Sequence, residues 1–180
     1  MSTDAASRAL LLEIARAAID AAVRGGPGAN PAGDAPILRE RRGVFVTLTC
    51  AGRLRGCIGR IEPDAPLASL LPAIAALSAT GDPRFPVLSV AELAGLAIEI
   101  SLLGEPVAVT GPAQIEIGRH GVIVTVGRRR GLLLPQVAAE FGWSAPEFLA
   151  RTCLKASMPH DAWQRAGAKL QVFETEIIDG

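Results

Sequence analysis

The sequence predicts an α+β fold, a mainly antiparallel sheet flanked by helices. Segments of period-two alternation are joined by short turns, which is the pattern of hairpins. Apolar residues at helical spacing are confined to the N-terminus and to stretches between those hairpins. Regular strand–helix–strand alternation is absent, which disfavours a doubly wound parallel sheet. The 180 residues suit a single domain over 1–180, and an apolar fraction of 49% is enough for a real core.

Asp4 to Arg24 reads as a helix, with Leu11, Ile14, Ala15, Ala18, Ile19, Ala22 and Val23 at helical spacing. Gly25-Gly26-Pro27 stops it, and 25–36 is a Gly/Pro-rich loop inside the domain. Gly43 to Cys50 alternates as a strand, and Ala51-Gly52 turns it back into a return strand over Leu54-Arg55-Gly56-Cys57-Ile58-Gly59. Period two puts Arg55 and Cys57 on one face of that strand. Asp64 is expected to cap a helix running toward Thr80, with Leu67, Leu70, Leu71, Ile74 and Leu77 facing inward. Pro72 either kinks it or marks a shorter helix capped by Ser69.

Ser89 with Glu92 forms a capping box opening one short helix, and Leu96 to Leu103 alternates as a strand. Val107–Thr110, Ile115–Ile117 and Val122–Val126 read as short strands, the last two joined by a tight turn over 118–121. Arg128-Arg129-Arg130 lies in a loop bounded by Gly127 and Gly131, and Leu132-Leu133-Leu134 is buried chain. Pro135 opens a helix ending at Gly142. Ser144 with Glu147 is a second capping box, for a helix carrying Phe148, Leu149, Cys153 and Leu154. One helical turn over Asp161 to Ala166 and a strand over Leu170 to Ile178 close the chain.

Composition excludes several classes of function. A formal net charge of +0 argues against stable nucleic-acid binding held by phosphate contacts. No apolar run approaches the ~18 residues of a membrane span, and the start of the chain lacks a signal-peptide pattern, so a cytoplasmic protein is expected. Three cysteines, Cys50, Cys57 and Cys153, fit a reducing compartment, and strand spacing argues against a Cys50–Cys57 bridge. No metal-ligand spacing and no phosphate- or dinucleotide-binding glycine motif occurs, so neither a metal nor a cofactor is expected.

The most informative segment is the Arg55-Gly56-Cys57-Ile58-Gly59 run. It sets a thiol between two glycines, with cationic side chains at Arg53, Arg55 and Arg60. Glycines permit close approach, and guanidiniums beside a thiol favour its ionised, nucleophilic form. The structural alternative is a small buried residue on a strand, its glycines marking a bulge. Asp82-Pro83-Arg84-Phe85 is the second candidate. Pro83 fixes the direction of its neighbours, so that Arg84 binds an anionic group while Asp82 orients it or acts as a base. The alternative there is a loop pinned by an Asp–Arg bond. His120 is a base only if its turn folds over the thiol. A helix C-terminus accounts for Lys155 by itself.

Together these segments resemble the AMMECR domain family, the prokaryotic AmmeMemoRadiSam system protein A type, from about Leu10 to Ile177. The resemblance is carried in order by 43–48, Leu54-Arg55-Gly56-Cys57-Ile58-Gly59, Asp82-Pro83-Arg84-Phe85, 99–103, 131–137 and 153–156. It implies a larger and a smaller lobe with a cleft between them, near which the signature residues cluster. It also implies association with Memo-like proteins, related to extradiol dioxygenases, and with radical SAM proteins. The family supplies no settled activity. Ser157-Met158 stands where the family usually has Gly-Leu, which bears on the helix end at Lys155. Two functions follow. The first is an accessory module binding a small ligand or a partner. The second is a thiol-dependent enzyme or modification factor with Cys57 as nucleophile or acceptor and Asp82 orienting Arg84 or serving as base. In both, Arg55, Gly56, Gly59, Arg84 and Lys155 line the ligand site.

Overall fold

The computed structural model describes residues 3–27 and 34–180, and these form two compact units. The first comprises residues up to Leu102 together with Glu176–Gly180, and the second runs from Leu103 to Thr175. The stretch 28–33 of the expected Gly/Pro-rich loop lies outside the described residues.

In the first unit, helix α1 (Ala5–Arg24) begins at Asp4, whose carboxylate accepts from the Ser7 N–H at 3.0 Å, and ends at left-handed Gly25. It buries Leu11, Ile14, Ala15, Ala18 and Ile19, as its periodicity predicts. A short helix α2 (Pro36–Arg39) follows, starting on the last residue of the stretch expected to be loop; Pro36 supplies its first turn and Ile37 and Leu38 are buried. Strands β1 (Val44–Cys50) and β2 (Arg53–Arg60) form the expected hairpin. Its turn is Ala51-Gly52, and both residues have positive φ, 49° and 74°. That conformation matches the twist of a two-residue hairpin, at some strain for an alanine.

Helix α3 (Leu67–Thr80) does not start where Asp64 would cap it. Asp64 pairs with Arg60 instead, and Pro66 occupies the cap position. Pro72 lies inside an unbroken and buried stretch of this helix, so Ser69 caps no shorter one. Leu77 is exposed, and the buried position one turn beyond Ile74 is its neighbour Ser78. A 3-10 turn over Val90–Gly95 carries the Ser89–Glu92 box, in which the Glu92 carboxylate accepts from the Ser89 N–H at 2.8 Å and hydroxyl at 2.7 Å. Strand β3 (Leu96–Leu103) pairs antiparallel with β1 on the side away from β2, so β2 is an edge strand. The end of the last strand, residues 176–179, lies beside β3. Val44, Val46, Leu48, Ile98, Ile100, Leu102 and Ile178 face a core closed by α1 and α3.

In the second unit, β4 (Val107–Val109) and β5 (His120–Val126) flank β7 (Lys169–Asp179), and β6 (Arg129–Leu133) pairs with β5. The expected strand over 115–117 is absent: a 3-10 turn over Pro112–Gln114 leads through irregular chain into a turn over 117–119, and the 118–121 hairpin does not form. The basic loop shrinks to Gly127-Arg128, because Arg129 and Arg130 already belong to β6. Helix α4 (Pro135–Glu140) starts at its proline. Helix α5 (Ala145–Lys155) starts at Ser144, but the serine side chain makes no cap bond, and Glu147 pairs with Arg151 instead. Phe148, Leu149 and Cys153 of α5 join Val122, Val124 and Leu133 in a second core.

Helix α5 ends in a tight αL cap. The Met158 N–H reaches the Cys153 carbonyl at 2.9 Å and the Ser157 N–H reaches that of Leu154 at 2.9 Å, with Ser157 at φ 55°. This is the arrangement in which glycine is ordinarily found. The departure from the family pattern therefore leaves the helix end intact, with a strained serine. Ser157→Gly is expected to raise stability by about 0.5–1 kcal/mol, relief of αL strain outweighing glycine's greater unfolded freedom. An unchanged urea midpoint counts against that strain.

Both units fix an edge-strand glycine under a helix carbonyl. A Cβ on Gly56 of β2 would sit 2.0 Å from the Ser78 carbonyl oxygen, and one on Gly131 of β6 would sit 2.4 Å from that of Thr152. Ser78 and Thr152 are themselves fully buried, each with its hydroxyl close to the carbonyl four residues back.

Candidate functional site

The site is built on the β2 edge of the first unit. Two observations fix the faces of that strand. Thr47 lies opposite Cys57, and Phe45 opposite Gly59, on the face away from the core. Gly56 and Ile58 lie opposite Leu48 and Val46, on the core face. A bulge between Leu48 and Thr49 leaves Arg55 as the extra residue, which re-aims its side chain. Arg55 consequently does not stand beside the thiol as strict alternation predicts. It grips the Glu92 carboxylate through two bonds, Nε at 2.6 Å and Nη2 at 3.2 Å, and donates to the carbonyls of Pro86 and Val87. Arg55 holds the Glu92 carboxyl down at about 2, with help from Ser89.

The two glycines owe their presence to approach from within the chain. The Ser78 carbonyl presses on Gly56, and the Phe45 ring would lie 2.1 Å from a Cβ at Gly59. The Ser78 hydroxyl accepts from the Ile58 N–H at 3.2 Å and lies 2.9 Å from the Val46 and Ile74 carbonyls, donating to one at a time. Helix α3 is thereby locked onto both strands of the hairpin, which sets where Gly81 and Asp82 emerge.

Asp82 is buried, and its carboxylate accepts the Cys57 N–H at 2.9 Å. It also accepts the Arg84 N–H at 3.1 Å, Nε at 3.0 Å and Nη2 at 2.7 Å. Arg84 Nη2 in turn donates to the Cys57 carbonyl at 3.2 Å. A residue on an edge strand leaves its N–H and C=O unpaired, and the Asp82–Arg84 pair satisfies both at Cys57 in place of a neighbouring strand. The Arg84 guanidinium beside Asp82, then the Cys57 N–H, hold the Asp82 carboxyl well below the usual carboxylate range. Asp82 raises the pKa of Arg84, and the nearby Cys57 thiol adds to that in the same direction.

Cys57 is half-buried, and the Thr47 hydroxyl donates to its sulfur at 3.4 Å. The Arg84 side chain is 55% exposed, with its guanidinium carbon 5.4 Å from the centre of the Phe85 ring. The thiol is therefore bordered by one anchored cation and one hydroxyl. Arg53 and Arg60 are exposed at the ends of β2, and Arg60 is taken up by Asp64. Cys50 lies opposite Arg53, three positions along β1 from the partner of Cys57, or about 10 Å, too far for a disulfide.

Lys155 belongs to the second unit, exposed as the last residue of α5. His120 opens β5 there, its Nδ1 accepting from the Glu116 N–H at 3.1 Å. Among the described residues no group of three His, Cys, Asp or Glu side chains is placed to hold a metal. No described helix is long and apolar enough to cross a membrane. Sequence reasoning missed Glu92 and Ser78 as supports and Thr47 as the thiol's neighbour. The capping signature at Ser89–Glu92 was visible but gave no sign of Arg55.

The AMMECR1 family model matches residues 12–178, across both units. The chain belongs to the AMMECR1 family. A protein of Methanothermobacter thermautotrophicus is 46% identical, over 93% of this chain and 91% of its own. Protein MJ0810 of Methanocaldococcus jannaschii is 43% identical, over 79% of this chain and 75% of its own. The crystal structure of the uncharacterized protein PH0010 from Pyrococcus horikoshii superposes with a TM-score of 0.85 at 41% identity, over 93% of this AMMECR1-family chain and 88% of that one. The expected family and the α+β architecture are thus both shown.

Proposed function

We propose that this AMMECR1-family protein is an accessory binding module whose recognition corner is Arg84 beside Cys57. One observation carries the reading: the Arg84 guanidinium is fixed by buried Asp82, yet more than half of its side chain remains exposed next to the thiol. A cation held in one direction before binding recognises a carboxylate or phosphate at little cost in ordering. The chemistry of Asp82 supports binding over catalysis. With four donors and a strongly lowered pKa, it is a poor proton acceptor. Neither histidine falls in the first unit.

The partners in this reading are Memo-like and radical SAM proteins. Co-expression of the tagged protein with both from one genome tests it. We expect Arg84→Ala to weaken the complex at least tenfold and Cys57→Ser to leave it intact. Failure to recover either partner overturns the accessory role. The second reading, a thiol-dependent enzyme or modification factor, draws on the contact of Cys57 with both Thr47 and Arg84. It predicts that Cys57→Ser abolishes activity while the complex survives. In either reading iodoacetamide should label Cys57 in the folded protein and leave Cys153 untouched, since Cys153 is sealed in the core and burial pushes its thiol up. Mass spectrometry of the alkylated peptides reads both outcomes.

A further inference from the structure

The registers extend the site across the sheet. Thr47 is paired on one side with Cys57 and on the other with Glu99 of β3. Directly opposed side chains on one face lie about 5 Å apart. Asp179, at the end of β7, alternates with buried Ile178 and so shares the face of Glu99, and its charge acts on the Glu99 carboxyl. The outer face therefore carries an ordered row: Arg84 at the edge, then Cys57, Thr47, Glu99 and Asp179. It is positive at one end, neutral and polar in the middle, and negative at the other.

The negative end is uncompensated. Glu99 is partly buried, and no cation or hydrogen-bond donor of the described residues meets its carboxylate. Burial and the Asp179 charge both push its pKa up. Two positions along β3 on the same face, the Ser101 hydroxyl is fully buried and has no hydrogen-bond partner. Native structures seldom leave such a group unpaired.

We propose that this row binds an extended zwitterion of the kind a short free peptide presents, its carboxylate on Arg84 and its ammonium on Glu99. The inference rests on the reading of Arg84 as the anion-recognising residue. Two strand spacings, about 10 Å, separate Cys57 from Glu99, and Arg84 Nη2 lies a further 3.2 Å off at the Cys57 carbonyl; a tripeptide of about 10 Å with a hydrogen bond of about 3 Å at each end reaches both. A ligand anionic at both ends is repelled from the Glu99–Asp179 end.

Calorimetric titration of the full chain with triglycine tests the proposal. Triglycine is expected to bind, and N-acetyl-triglycine, which lacks the ammonium, to bind at least tenfold more weakly. Glu99→Gln is expected to weaken triglycine at least tenfold and to leave N-acetyl-triglycine unchanged. Arg84→Ala weakens both. Asp179→Asn, at an exposed position, weakens triglycine two- to fivefold and checks the Glu99 result without touching a half-buried residue. Equal binding of the free and acetylated peptides, an inert Glu99→Gln, or no triglycine binding at all overturns the proposal. Triglycine bound as expected by a protein that recovers neither Memo-like nor radical SAM partner instead sinks the accessory role alone.

Discussion

Gly56→Ala is expected to destabilise the protein by about 3 kcal/mol or more, the largest effect of any single methyl group in the first unit. The added Cβ would meet the Ser78 backbone carbonyl at 2.0 Å, and a backbone carbonyl cannot swing aside as a flexible side chain does. Either α3 lifts from the hairpin or β2 shifts from β1. Lifting α3 breaks the Ser78 hydroxyl's bonds to Ile58 and Val46, leaving buried polar groups unpaired. In a chain of this size each kcal/mol lowers Tm by about 2–4 °C, so a fall of roughly 6–12 °C is expected. Gly131→Ala, pressed against the Thr152 carbonyl at 2.4 Å, should behave alike in the second unit. The Gly56 change carries a second consequence that the Gly131 change does not. Displacing Ser78 moves the chain that leads through Gly81 to Asp82, and Cys57 alkylation should change with it. A Gly56→Ala protein within 0.5 kcal/mol of wild type, measured by urea titration, would mean that helix and strand do not meet as described.

What the sequence made legible divides along a physical line. Elements whose own residues dictate them were readable: α1 from its period and its Asp4 and Gly25 ends, and β1 and β3 from alternation. Elements decided by distant partners were not. Asp64 has the chemistry of a cap, but Arg60 four residues earlier takes it and the helix starts later. Ile115–Ile117 is apolar enough for a strand, yet Pro112 bends the chain into a 3-10 turn just before it. At the site, the motifs holding Cys57, Asp82 and Arg84 stand far apart in sequence, and their meeting was only an expectation. The bulge at Arg55 turned the nearest arginine away from the thiol; the glycines admitted a bulge on this strand, but its position at Arg55 follows from pairing with β1, which the segment alone does not fix. Glu92 was recognised as a capping residue, which is true, but the same carboxylate also holds Arg55. One residue serving two elements is invisible to a reading that accounts for each element alone.

Asp82→Asn is expected to lower stability by about 2–3 kcal/mol at pH 7, and the loss should shrink in acid. The magnitude follows from charged hydrogen bonds on a buried carboxylate, discounted because the Arg84 side chain is 55% exposed. An amide keeps an acceptor oxygen for the Cys57 N–H but brings its NH2 against the Arg84 guanidinium. The pH dependence follows from linkage. In the unfolded chain the Asp82 carboxyl titrates near 3.9, whereas in the folded protein it is held well below that. The unfolded state therefore takes up the proton first as pH falls. The stabilisation is complete above about pH 5 and declines steadily below pH 4. Glu92, held at about 2 by Arg55, adds to the same acid limb, so the variant should flatten the limb without abolishing it. Wild type and Asp82→Asn should thus differ most at pH 7 and converge toward pH 2. A gap equally wide at both ends would mean that the ionised carboxylate does not hold the strand edge, and Arg84 would lose its anchor. Because one pair both closes that edge and aims the guanidinium, the fall in stability and the loss of anion recognition should appear together in this variant. Arg84→Ala leaves Asp82 bound to the Cys57 N–H, so it should lose recognition at a smaller cost in stability.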